Sequence, residues 1–100
     1  MTRPRLLSII VPVYNEEEFL AAAIERALRA PLPEGLESEL VAVDDGSTDS
    51  SREILAELAD KYPGRVRVVY HKKNAGKGAA IRTGLQHALG EFGIIQDADL

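Results

Sequence analysis

The sequence predicts an α/β protein built on a parallel sheet with helices on both faces. Three observations carry that prediction. Four short apolar runs rich in Ile and Val alternate with segments whose apolar residues fall at helical spacing, giving the order βαβαβαβ. The runs are near-continuously apolar rather than alternating, as strands buried on both sides require. The segments between them are long enough to act as right-handed helical crossovers between parallel strands.

"LLSIIVPV" (6–13) reads as the first strand. Asn15 with Glu18 three residues on has the form of a capping box, and the helix after it places Phe19, Leu20, Ala23, Ile24, Ala27 and Leu28 on one stripe. "PLPEG" (31–35) is a loop by its Pro and Gly content, and "LVAVDD" (40–45) is the second strand. Ser50 with Glu53 predicts another capping box, opening a helix with an apolar stripe of Ile54, Leu55, Leu58 and Tyr62. "YPG" ends that helix and "VRVVY" (66–70) is the third strand. Ala80, Ile81, Leu85, Ala88 and Leu89 mark a third helix closed by Gly90. "FGIIQ" (92–96) is expected as a fourth buried strand, delivering Asp97 and Asp99 at its end.

Composition narrows the function classes. One hundred residues make one small domain, 1–100. With 45% hydrophobic and 28% charged residues, the chain has the balance of an ordinary globular protein rather than a disordered one. A net charge of −4 argues against a nucleic-acid binder, which needs a basic face. Without cysteine there is no disulfide framework and no thiolate metal site; this suits a reducing, cytoplasmic setting. Two arginines and an apolar run near the N-terminus superficially resemble a signal peptide. Pro12 interrupts that run, however, and Glu16, Glu17 and Glu18 precede the small residues at 21–23. No stretch reaches the ~20 apolar residues of a membrane span, so membrane contact is expected to be peripheral or to lie beyond residue 100.

In parallel α/β sheets ligands bind outside the carboxyl ends of the strands. Those ends here read "PVYNEEE", "VDDGSTDSS", "YHKKNAGKG" and "QDADL". One sheet edge therefore gathers Tyr14, Asn15 and Glu16; Asp44 and Asp45; Lys72, Lys73, Asn74 and Lys77; and Asp97 and Asp99. Each has a plain reading alone. Asn15 would cap a helix, "DGSTDSS" would be a turn, the lysines a solvated loop, and Asp97 the cap of a following helix. Together they fit recognition of a nucleotide diphosphate. Tyrosine lies against a base, Asp accepts base N–H groups, and an Asp-x-Asp turn offers hard oxygen ligands to Mg²⁺ or Mn²⁺. Such a cation also relieves the repulsion between the two carboxylates. "NAGKGAA" is not a phosphate-binding P-loop: His71 stands where that pattern needs Gly, and Gly78 where it needs Ser or Thr. Its Gly- and Lys-rich helix start still suits an anion. His71 and His87 have no metal-site spacing, and His87 is expected at the surface.

"SIIVPVYNEEEFL", "VAVDDGSTDSSREIL", "NAGKGAAIRTGL" and "GIIQDADL", in that order, resemble the N-terminal half of family 2 glycosyltransferases with the GT-A fold. The likeness is nearest to the dolichyl- or polyprenyl-phosphate sugar transferase branch, and it covers essentially the whole chain. It implies a Rossmann-like sheet and transfer of a hexose from a UDP- or GDP-activated donor, with a polyprenyl or dolichyl phosphate as acceptor. By position it implies that Pro12, Tyr14 and Glu16 line the nucleotide pocket, and that one of Asp44 and Asp45 contacts the base. Lys77 and Arg82 would lie beneath the nucleotide sugar, and Asp97 and Asp99 would hold Mg²⁺ or Mn²⁺ and the diphosphate. Relatives continue well past the Asp-x-Asp into an acceptor-binding half, which carries any catalytic base. The chain is therefore expected to bind donor but to turn over poorly, to work in the cytoplasm or at the inner face of a membrane, and to expose an unfinished sheet edge prone to self-association.

Two other readings stand beside this one. A receiver-type phosphoacceptor domain also has a doubly wound sheet, but its acidic pair would follow the first strand, which here ends in "PVYNEEE". A non-catalytic nucleotide-binding partner subunit would use the same strand ends without acceptor chemistry.

Overall fold

The computed structural model describes residues 5–99. The elements follow the expected order: β1 (Arg5–Val13), α1 (Leu20–Arg29), β2 (Leu36–Asp44), α2 (Ser51–Lys61), β3 (Val66–Tyr70), α3 (Lys77–His87) and β4 (Phe92–Ile95). All strand pairs are parallel and the sheet order is β3-β2-β1-β4, so β1 and β2 are central. Of the two N-terminal arginines, Arg3 lies outside the described residues, while the Arg5 guanidinium stacks on the exposed Phe92 ring. Among the described residues no helix is long and apolar enough to cross a membrane.

The unbroken apolar runs of β1 and β2 serve two faces at once, because successive side chains of a strand point opposite ways. Ile9, Val11 and Val13 of β1, with Leu40 and Ala42 of β2, pack with Leu20, Ile24 and Leu28 of α1 and with Leu55 and Leu58 of α2. Ile10, Val41 and Val43 face the other way and meet Ala80 of α3. α3 lies close on that face because Gly84 has no Cβ; one added there would overlap the Ile10 side chain.

Four sequence expectations are corrected. Asn15 does not cap α1: that helix starts at Leu20 without a side-chain cap, and Asn15 (φ 51°) reaches across to the β2–α2 loop instead. The Ser50–Glu53 capping box does not form either. The first N–H groups of α2 are met from outside the helix, Ser51 N–H donating to Asp49 Oδ1 at 2.8 Å and Ser50 N–H to Glu17 Oε2 at 2.9 Å. α3 stops at His87, short of Gly90, and Leu85 and Leu89 are exposed. The cause is a buried polar cluster at the opposite end of the sheet. Arg67 donates to the His87 carbonyl and Glu39 Oε1, Leu89 N–H to Glu39 Oε2 (2.6 Å), and Gly90 N–H to Ser8 Oγ (2.9 Å), drawing the backbone out of the helix. Lastly, β4 is not buried. It is an edge strand, and Phe92, Ile94 and Ile95 are each more than two-fifths exposed.

Candidate functional site

Every strand end falls on one rim, and there the β1–α1 and β2–α2 loops are cross-bonded. Asn15 N–H donates to Ser47 Oγ and Glu16 N–H to Ser51 Oγ, both at 2.9 Å. Glu17 N–H donates to Asp49 Oδ2 at 3.2 Å. In return Asn15 Oδ1 accepts from the N–H groups of Thr48 (2.8 Å) and Asp49 (3.3 Å). Only short polar side chains can trade bonds with a backbone this near, so "GSTDSS" is more than a turn: it fixes Tyr14 and Glu16 in place. Ser47, Asp49 and Ser51 were not singled out by sequence reasoning, although the density of short polar residues there was the available signal.

Asp44 and Asp45, adjacent in sequence, part company by strand alternation. Asp44 turns to the α2 side, fully buried, where its Oδ2 accepts from Ser47 N–H at 3.2 Å and lies 3.9 Å from Arg52 Nε. Asp45 turns to the α3 side and collects the segment after β3. Its Oδ1 accepts from His71 Nδ1 (2.8 Å) and Ala75 N–H (2.9 Å), and its Oδ2 from Asn74 Nδ2 (3.1 Å) and Gly76 N–H (2.8 Å). Burial alone would raise the Asp45 carboxyl, but His71 and the two backbone N–H groups outweigh it and hold the group below the usual carboxylate range. His71, unassigned by spacing, is thus the side chain that orients Asp45, and its Nε2 is held 2.8 Å from Thr83 Oγ1 on α3. Gly46 (φ 76°) permits the approach, since a Cβ there would sit 2.5 Å from Asn74 N.

The Asp-x-Asp segment follows a different rule. Ala98 is buried in the α1–α2 core, and its neighbours Asp97 and Asp99 are both exposed. The middle residue anchors the segment, and extended alternation puts both carboxylates on the outer side. Lys77, first residue of α3, reaches across to Asp97 with Nζ 2.8 Å from Oδ1.

These parts enclose a cleft of about 330 Å³ lined by Tyr14, Glu16, Asp45, Lys77, Asp97 and Asp99, with Pro12 and Asn74 in its wall. Asp44 and Arg82 are not in it: Asp44 is beneath α2, and Arg82 is exposed further along α3. Four carboxylates against one ammonium make the cleft acidic. Partial burial raises the Glu16 carboxyl, and Asp99, Asp49 and Asp97 add repulsion in the same direction. Among the described residues no three acidic or His side chains form a metal-holding cluster. The donor set nevertheless fits a hard divalent cation of the kind held by one or two carboxylates together with water and substrate phosphate. Asp97 and Asp99 are the two exposed carboxylates that could supply such oxygens, and after burial their charges are among the causes that raise the Glu16 carboxyl.

Residues 8–100 match the family model described as Glycosyl transferase family 2. The chain is 44% identical over 94 residues to an undecaprenyl-phosphate 4-deoxy-4-formamido-L-arabinose transferase of Pectobacterium carotovorum, covering 94% of this chain and 29% of that protein. Among solved structures it superimposes on the Pyrobaculum calidifontis mannosyltransferase PcManGT, in complex with GDP-Man and Mn²⁺. The TM-score is 0.80 at 33% identity, over 98% of this chain and 28% of that one. It also superimposes on S. aureus TarS 1–349 in complex with UDP-GlcNAc, with TM-score 0.80 and 32% identity over 93% and 26% of the two chains. The chain spans less than a third of the length of each of these proteins.

Proposed function

The chain belongs to glycosyl transferase family 2, and we propose that residues 1–100 are the donor-binding part of an enzyme that moves a hexose from a UDP- or GDP-sugar to a polyprenyl phosphate. The observation that carries this is the charge of the cleft. A pocket with four carboxylates and one lysine repels a bare diphosphate, yet suits one that arrives with a divalent cation. Bound at Asp97 and Asp99, Mg²⁺ or Mn²⁺ would neutralise the charge that builds on the departing nucleotide diphosphate. Tyr14, nearly half exposed on the rim, lies against the base. Asp45, its oxygens taken by four donors, holds the segment after β3 as the wall of the nucleotide pocket, and the exposed Lys77 supplies positive charge beside Asp97.

The relatives' names support a lipid-phosphate acceptor. Such an acceptor is already ionised at neutral pH, so its oxygen needs no protein base to become a nucleophile. It would also place the work at the cytoplasmic face of a membrane. The exposed β4 edge, with its row of apolar side chains, supports a surface for further chain or for self-association.

The reading is tested by titrating UDP-glucose and GDP-mannose with and without Mn²⁺, then repeating with Asp97→Ala and Asp99→Ala. One of the two donors should bind in a metal-dependent manner that each substitution abolishes. Metal-dependent affinity untouched by both substitutions would overturn the metal site. The 100-residue chain should transfer sugar to polyprenyl phosphate poorly, and efficient transfer would refute its assignment as a donor-binding part.

A further inference from the structure

Lys77 is oddly placed for helix stability. It is the first residue of α3, where the helix dipole disfavours a cation, and the first turn of that helix has no acidic residue. Its ammonium is spent instead on Asp97, one of the two carboxylates assigned to the cation, at 2.8 Å. Both side chains are more than three-fifths exposed, so solvent screens the pair and makes it cheap to exchange. With Asp99 and Glu16 alongside, Asp97 without Lys77 would be an unpaired anion among anions.

We propose that Lys77 is the exchangeable counter-ion of this cleft: its ammonium holds the cation's place on Asp97 until nucleotide sugar and metal enter together, then moves to the diphosphate. The proposal rests on the metal-assisted donor reading and adds a coupling to it. A cation entering alone must strip Lys77 from Asp97 and leave the ammonium without a partner. One entering with a diphosphate gives that ammonium new oxygens, within reach of a flexible four-carbon stem. Metal and nucleotide therefore bind cooperatively, and by linkage each raises the other's affinity by the same factor.

The test measures Mn²⁺ binding alone, by electron paramagnetic resonance of the free ion, then again with saturating UDP and with saturating GDP. Wild type is compared with Lys77→Gln, Lys77→Arg and Asp97→Asn, with thermal melts confirming that each is folded. Lys77→Gln should bind Mn²⁺ alone about fivefold more tightly and lose most of the enhancement by nucleotide, while Lys77→Arg keeps it. Asp97→Asn should abolish Mn²⁺ binding in every arm. If Asp97→Asn abolishes Mn²⁺ binding but Lys77→Gln leaves the metal-only affinity unchanged or weaker, the counter-ion role is wrong and the metal site stands. If Asp97→Asn changes nothing, the metal reading itself fails.

Discussion

Two strands of this sheet deliver acidic residues to the same rim and differ in nearly everything else. β2 lies between neighbours, its last seven residues buried, and Asp45 beyond it is enclosed by four donors. β4 is an edge strand, exposed throughout, and Asp97 and Asp99 beyond it face outward, where among the described residues Lys77 is the one side chain ion-paired with Asp97. Equivalent carboxylates thus do opposite work. At the centre the charge is consumed in holding the chain together; at the edge it is left available to a ligand. Burial and partners, not residue type, make that division.

The comparison breaks most visibly on removal of the carboxylates. Asp45→Ala strands two backbone N–H groups and His71, and should cost about 3 kcal/mol in urea unfolding. Asp97→Ala should stay within about 0.5 kcal/mol of wild type in the same assay while abolishing metal-dependent donor binding. Equal destabilisation by both would erase the distinction. Glycines sharpen it next. Gly84→Ala forces a methyl into Ile10 against β1 and should destabilise by about 1–3 kcal/mol despite alanine's better helix propensity. Gly93→Ala on β4 meets nothing nearer than 3.7 Å and should shift the midpoint by no more than about 0.5 kcal/mol.

The smallest effect lies in pH dependence, where two carboxylates of the cleft have opposite signs. The Asp45 carboxyl is held low, so its contribution is complete above the unfolded value of about 4 and is lost as pH falls through its folded pKa. Asp45→Asn should therefore flatten the acid limb of a stability–pH curve. The Glu16 carboxyl is raised, so the fold is penalised as pH climbs from the unfolded value through the folded one. Glu16→Gln should remove that penalty, and saturating Mn²⁺ with nucleotide should reduce it in wild type. A Glu16→Gln curve that parallels wild type from pH 4 to 7 would show that Glu16 carries neither the burial nor the acidic neighbours assigned to it.

The architecture was legible because β1, β2 and β3 carry apolar runs that no amphipathic helix would show, and those runs fixed both the order of elements and the rim to inspect. What escaped depends on contacts distant in sequence. Asn15 has the local signature of a helix cap, yet its carbonyl is claimed by Thr48 and Asp49 from another loop. The stripe through Leu85 and Leu89 promised a longer helix, but Glu39 and Arg67 take hold of the backbone at His87 and Leu89. At the rim, the strand ends predicted Tyr14, Glu16, Lys77, Asp97 and Asp99 together, and the structure brings them to one cleft. Spacing could not tell Asp44 from Asp45, because which of two adjacent residues faces the cleft depends on strand register. It passed over His71 and Ala98, whose roles come from the neighbours they touch.

The sheet order also sets a timetable. β1 meets β2 through residues such as Ser8 and Glu39, 31 apart, but its other flank waits for partners as remote as Glu91, 86 residues from Arg5. Closing so long a loop costs more chain entropy and comes late in folding. The wall bearing Tyr14, Glu16 and Asp45 draws on β1, β2 and the segment after β3, and docking of β4 is the step that adds Asp97 and Asp99 and completes the cleft.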